Sequence, residues 1–292
     1  MLYVCYCAKS SESGRALARA LGCVGVNFNS RKMQNIKSGD TLVNFGSSNL
    51  PYMKNVKIIN HPENIAQASN KRISRILLEK HNVPAPKLYT NPQKIDRFPV
   101  IGRPDYHTQG KEFYYCTNKQ ELKKAHACGA THYMSFLKNT TEFRIHIVSR
   151  SFLLSEQSLD NFLVVKSSVK LPVEENPHPY IKNYENGYKF FPLGHCPYPA
   201  GECIHHVWKV AQMAARAVKL HFCAVDLALS GEQAYVYEIN TAPCLVNSAP
   251  SANKRSTVNI YADNLSRYLL KNETVKDVVR QSSIRTVEYS WR

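Results

Sequence analysis

Two strand-like runs face each other across one short turn, and they constrain the fold more than any other stretch of the chain. Cys223–Leu229 and Ala234–Asn240 flank Ser230-Gly231-Glu232-Gln233, the pattern of an antiparallel hairpin. With the turn centred on Glu232, Asp226 lies directly opposite Glu238. Cβ atoms of such neighbours are roughly 4.5–5.5 Å apart. The two-residue period also puts Asn240 on the face of Glu238. Val225, Leu227, Leu229, Tyr235, Tyr237 and Ile239 then make the other face apolar. Carboxylates this close repel unless one takes up a proton or a cation lies between them. Oxygen ligands from Asp, Glu and Asn suit Mg²⁺, which keeps water and phosphate oxygens as further ligands. A solvated acidic face is the alternative, but Ala224, Ala228 and Val236 beside the acids favour a half-buried site.

The rest of the chain must supply a setting for such a hairpin. At 292 residues it suits one large α/β unit or two to three packed subdomains, and 43% hydrophobic residues suffice for a real core. Residues 1–60 read as a small α/β domain, with strands at Met1–Cys7, Thr41–Gly46 and Val56–Asn60 and a helix over Ser10–Leu21 that Gly22 ends. One helix is expected from Pro62 to His81, burying Ile65, Ile73, Ile76 and Leu77, and Asn82-Val83-Pro84-Ala85-Pro86 stops it. Strands follow at Phe98–Pro104, His132–Leu137 and Glu142–Val148, with a helix at Asn118–Cys128 and a hairpin partner at Phe152–Leu154. Residues 167–203 read as loops over a strand near Tyr188–Phe191. A helix at Ile204–Leu220 carries the stripe Val207, Val210, Ala211, Ala214 and Val218, and a last one runs from Val258 to Leu270. The expected division is 1–62, 63–138 and 139–292.

Charge and cysteine content narrow the setting. The net charge of +16 raises attraction for polyanions such as nucleic acid, nucleotides or acidic polypeptides, and solubility with a basic nucleotide cleft is the equal alternative. Nine cysteines cannot all pair internally, and no apolar run approaches the ~18 residues that span a bilayer. Free thiols in a reducing, cytoplasmic setting are expected, with no membrane partner.

Several further pieces resemble one family. Asn70-Lys71 opens a helix that ends in Val83-Pro84-Ala85-Pro86. Pro99-Val100-Ile101-Gly102-Arg103-Pro104 precedes Gly110, and His132–Leu137 precedes Glu142-Phe143-Arg144. Ala224-Val225-Asp226 precedes Glu238-Ile239-Asn240-Thr241-Ala242-Pro243. In this order, over residues 44–247, they resemble the ATP-grasp carboxylate–amine ligases, and among these the ribosomal-protein glutamate ligase group with related viral and phage enzymes.

The resemblance implies an ATP-grasp fold, in which a small N-terminal α/β domain precedes two subdomains that grip ATP. It implies Mg²⁺, one ion or two, on Asp226, Glu238 and Asn240. Lys71 and Arg103 are the implied ATP phosphate contacts, with Arg standing where the family usually has Lys. The loop containing His107 and Gly110 takes the place of the phosphate-covering loop, Ser135-Phe136-Leu137 that of the adenine-edge segment, and Glu142 that of the ribose ligand. Arg144 is the implied contact of the acyl phosphate or substrate carboxylate. Lys166 lies in the interval where the family places a cation that stabilises the acyl phosphate. An exposed ion pair on a strand is the other reading of Glu142 and Arg144.

The implied reaction activates a carboxylate as an acyl phosphate, joins it to an amine, and releases ADP and phosphate, with no side-chain nucleophile. The acid and amine are an amino acid, a peptide or protein terminus, or an amine on modified nucleic acid. In a viral chain the site of action is the host cytoplasm. A catalytically silent basic nucleic-acid-binding protein, or an ATP-dependent phosphotransferase, is the competing use of the same fold.

Overall fold

The computed structural model describes residues 1–7, 11–104, 112–138, 140–152, 158–195, 201–246 and 256–270. The chain begins with β1 (Leu2–Tyr6), α1 (Glu12–Ala20), β2 (Val24–Asn27), β3 (Thr41–Phe45) and β4 (Lys57–Ile59). These strands form a parallel sheet in the order β2-β1-β3-β4. Their near-continuous apolar runs fit a sheet covered on both faces. One cluster holds Tyr3, Cys5, Val26, Met33 and Leu42, and another holds Val4, Leu17, Val43, Phe45 and Ile59.

The single helix expected over 62–81 is two. α2 (Pro62–Ser69) and α3 (Lys71–Lys80) meet at Asn70, whose backbone is extended at φ −80°, ψ 109°. The Asn70 side chain accepts from the N–H groups of Arg72 and Ile73 at 3.1 and 3.0 Å, so it caps the second helix. The break rotates the buried face. Ile65, Ala68, Ser74, Arg75 and Leu78 are buried, while Ile73 and Ile76, expected inside, are exposed.

Next come β5 (Leu88–Tyr89), β6 (Val100–Arg103), β7 (Tyr114–Cys116), α4 (Lys119–Ala127) and β8 (His132–Ser135), an antiparallel sheet in the order β5-β8-β6-β7. Tyr89, Val100, Cys116, Leu122, Ala125 and Tyr133 pack its own small core.

The largest sheet has the order β11-β10-β9-β12-β13. Its elements are β9 (Thr140–Ser149), β10 (Phe162–Pro172), β11 (Tyr188–Pro192), α5 (Gly201–Ala217), β12 (Phe222–Ser230) and β13 (Gln233–Asn240), and α6 (Thr257–Leu265) follows. β9 pairs with β10, which occupies part of the stretch read as loop, while Leu153 and Leu154 of the partner expected at 152–154 lie outside the described residues. Serines and lysines among the residues of β10 hide the strand from composition alone. One face of this sheet carries Phe143, Ile145, Ile147, Val169, Val225, Leu227, Val236 and Ile239, packed on α2, α3 and α5. The predicted stripe of α5 is buried throughout. α6 crosses back to the N-terminal unit, where Val258, Tyr261 and Leu265 join Leu17, Phe45 and Phe222 in one core.

The hairpin holds a compensated error. Its turn is the two residues Gly231 and Glu232, because Ser230 pairs with Gln233 and Leu227 with Val236. Tyr237 is then an extra residue, a β-bulge, and beyond it Asp226 pairs with Glu238. The facing acids expected from a turn centred on Glu232 therefore do face, for a different reason. The bulge also moves side chains between faces. Ala234, Val236 and Ile239 are buried, whereas Tyr235 and Tyr237 leave the apolar face assigned to them.

Candidate functional site

The other face of the large sheet is charged where the first is apolar. Register places Lys170, Glu142 and Ala228 in one row, Ser168, Arg144, Asp226 and Glu238 in the next, and Lys166, His146, Ala224 and Asn240 in a third. Alternation, corrected by the bulge at Tyr237 and the register shift between Val164 and Lys166, brings these groups together from four strands.

Arg144 grips Asp226 with both arms of its fork. Nε and Nη2 each donate to one carboxylate oxygen at 2.7 Å. The guanidinium also lies 4.3 Å from the centre of the Phe190 ring. Burial opposes ionisation of Asp226. The Arg144 charge and hydrogen bonds outweigh it, with Lys170 and Asn240 adding, and hold the carboxyl below its ordinary value. Asn240 Nδ2 donates to the same carboxylate at 3.2 Å. Glu238, beside them, is 3.9 Å from Lys71 Nζ. Lys71 stands at the first turn of α3, so the break at Asn70 is what aims it here. Burial lowers its pKa, and Glu238 opposes that shift. Arg103, at the end of β6, is also lowered by burial and opposed by Glu238. Its guanidinium lies 5.0 Å from the Phe113 ring centre.

Glu142 accepts from Lys170 Nζ at 2.6 Å, both side chains being largely buried. Lys166 Nζ donates to Thr257 Oγ1 of α6 at 2.5 Å. Burial and then Arg144 lower the Lys166 pKa. Ser135 turns its hydroxyl to the backbone, where Oγ accepts from Lys87 N–H at 2.9 Å. Phe136 N–H donates to Pro99 O at 3.1 Å, and the Phe136 ring meets Tyr115 edge-on at 5.0 Å. Tyr180 stacks on Tyr115 at 4.4 Å, so the 173–187 segment reaches the central sheet beside Phe136 and Leu137. His107 and Gly110 lie outside the described residues.

The positions of Glu238 and Asn240 have identifiable supports. The bulge leaves two β13 carbonyls to be satisfied. Arg75, buried, donates Nη1 to Val236 O and Nη2 to Tyr237 O, the latter at 2.6 Å. Burial pushes its pKa down to about 10. Beyond Asn240 the chain rests on α2 and on the N-terminal unit. Ser69 Oγ is 3.4 Å from Thr241 Oγ1, and Ser13 Oγ accepts from Leu245 N–H at 2.9 Å. Gly46, at φ +84°, meets Ala242 so closely that a Cβ there would lie 2.5 Å from the Ala242 Cβ.

Sequence reading missed three contributors: Lys170, Phe190 and Arg75. The alternation Lys166, Ser168, Lys170 was the available signal for the first. Nothing local marks Arg75, whose partners are some 160 residues away.

The donors around Asp226 are oxygen-bearing and fit a hard divalent cation. Among the described residues no group of three or more His, Cys, Asp or Glu is assembled, so the set depends on the Asn240 amide. The eight described cysteines are all free, and no described helix is long and apolar enough to cross a membrane.

No protein-family model matches this chain, and no curated protein matches it. Solved structures do. The D-alanine–D-alanine ligase of Bacillus anthracis superposes with a TM-score of 0.61 at 15% identity, over 97% of this chain and 99% of that one. The VanG D-Ala:D-Ser ligase of Enterococcus faecalis gives 0.63 at 12% identity, over 92% and 99%. The ATP-grasp ligase PsnB, complexed with a minimal precursor, gives 0.60 at 11% identity, over 91% and 98%. With a parallel N-terminal sheet, a small antiparallel sheet and a five-stranded sheet bearing the charged face, the chain has the ATP-grasp fold.

Proposed function

We propose that the protein is an ATP- and Mg²⁺-dependent ligase that joins a carboxylate to an amine. The observation that carries this reading is the row Arg144–Asp226–Glu238 with Asn240 beside it, laid open on one sheet face next to Lys71 and Arg103. The B. anthracis ligase, similar in fold, has also been solved in complex with ATP.

In this reading Asp226, Glu238 and Asn240 hold Mg²⁺, which when bound neutralises charge on the phosphates. Lys71 and Arg103 bind ATP phosphates. Backbone groups at Ser135, Phe136 and Leu137 read the base, and Glu142, held in place by Lys170, takes the ribose hydroxyls. The loop of His107 and Gly110 covers the phosphates.

A carboxylate is a poor electrophile, and its conversion to an acyl phosphate supplies a leaving group. Arg144 and Lys166 stabilise the negative charge that builds on the transferring phosphoryl group and the carboxylate. Attack by the amine then forms the amide and expels phosphate. The acid and the amine are drawn from amino acids, peptide or protein termini and nucleic-acid amines, and the positive net charge favours an acidic partner.

ADP release with Mg²⁺ across pools of these compounds, followed by mass spectrometry of products, tests the reading. Asp226→Asn and Glu238→Gln should each lower the rate at least 100-fold while leaving the circular dichroism unchanged. Full activity in both variants would remove the metal assignment.

A further inference from the structure

The acids and cations of the charged face are already paired with one another. Arg144 holds Asp226 at 2.7 Å through both arms, Lys170 holds Glu142 at 2.6 Å, and Lys71 lies 3.9 Å from Glu238. In the ligase reading each pair joins a group meant for a cation or a hydroxyl to a group meant for an anion or a neighbouring carboxylate. The Arg144 pair is the most constrained. Asp226 accepts three hydrogen bonds, two from Arg144 and one from Asn240. A carboxylate offers about four lone-pair sites, so little acceptor capacity is left for a metal. Arg144 spends the planar edge formed by Nε and Nη2, the edge that suits a carboxylate or phosphate. Phe190 covers the guanidinium face at 4.3 Å, which limits how far it can turn.

We infer that Arg144 and Asp226 form an exchange latch: a divalent cation that takes Asp226 frees the Arg144 fork for the carboxylate substrate, so that each ligand strengthens binding of the other. This rests on the ligase reading for the identity of the two ligands. The coupling itself rests only on the bidentate pair. It must act in both directions, because linkage between two binding events is reciprocal. Weakening the pair from either side should strengthen binding of what the remaining partner prefers.

Calorimetry on the full chain tests this with two simple probes, Mg²⁺ alone and inorganic phosphate alone. Arg144→Gln should bind Mg²⁺ at least tenfold more tightly than the unaltered protein. Lys166→Gln removes one positive charge from the same face but leaves the latch intact, so it should change Mg²⁺ affinity less than threefold. Asp226→Asn should bind phosphate at least tenfold more tightly, while Glu238→Gln, with the same charge change but only a 3.9 Å contact to Lys71 in place of a bidentate pair, should gain less than threefold. Equal effects within either pair of variants would mean that general electrostatics, not the latch, sets the affinities. No gain in Arg144→Gln or Asp226→Asn would also overturn it. Should Arg144→Gln fail to fold, Arg144→Lys keeps the charge without the fork and should still gain in Mg²⁺ affinity, and the Asp226 arm stands on its own. ADP release by the unaltered protein without these differences rejects the latch alone. The differences without ADP release on any pool reject the ligase reading alone.

Discussion

At the scale of single residues, two buried histidines tie stability to pH. His221 accepts from Asn60 N–H at Nδ1, 3.0 Å, and faces Phe152 O with Nε2 at 2.9 Å. The bond from Asn60 needs a lone pair on Nδ1, so this ring folds neutral. Burial pushes its pKa down to about 4, and the nearby Lys57 charge adds to that shift. His146, 2.9 Å from the Tyr261 hydroxyl, is pushed down to about 3 by burial and then by Lys166 and Arg144. Unfolded histidine titrates near 6.5. The stability these neutral rings provide is therefore complete above about pH 6.5 and declines as pH falls toward the folded values. Between pH 7.5 and 5 each should cost about 2 kcal/mol. Urea unfolding at the two pH values checks this, and His221→Gln should reduce the loss by about half.

The acids of the hairpin were legible at this scale because their spacing is local. The Asn60–His221 contact was not. The Asn60 side chain also accepts from His221 N–H and Phe222 N–H at 2.7 and 3.2 Å, yet its partners lie 161 and 162 positions away and no nearby residue types announce them.

At the scale of elements, two irregularities aim the site. The break at Asn70 turns Lys71 toward Glu238, and the bulge at Tyr237 sets Glu238 against Asp226. Periodicity shows neither, since a regular helix and a regular hairpin are the simplest extensions of the flanking patterns. Their signals were an Asn ahead of a basic helical turn and a burial pattern that changes phase. Arg75 binds the irregularities to each other, as a residue of α3 satisfying the bulge carbonyls of β13. Arg75→Met should leave both carbonyls without that donor and cost about 2–6 kcal/mol, since each buried unsatisfied polar group costs roughly 1–3 kcal/mol. Thermal unfolding measures the loss. Mg²⁺ affinity should also fall, because Glu238 follows the bulge. A variant with undiminished stability would show that the carbonyls find other donors. α6 contributes in the same way, presenting Thr257 to Lys166 and Tyr261 to His146 from successive turns of one face.

At the scale of the molecule, the order of motifs anticipated the ATP-grasp architecture. Less legible was how far its parts interpenetrate. α6 completes the core of the N-terminal unit, and the segment after Asn240 rests on Gly46 and Ser13. Side chains at the two ends of the chain thus share one packing problem. Gly46→Ala should act as a site mutation from outside the site. The added methyl pushes Ala242 and with it the strand end bearing Asn240, so nucleotide affinity and melting temperature should both fall. Gly46→Ala combined with Ala242→Gly should recover part of the melting temperature, and failure of any recovery would show that backbone strain at the positive φ dominates. The same contact has an evolutionary reading. Positions 46 and 242 share one allowance of volume, so related chains should trade size between them. That correlated pair would join the N-terminal sheet to the strand end bearing Asn240 in any set of descendants.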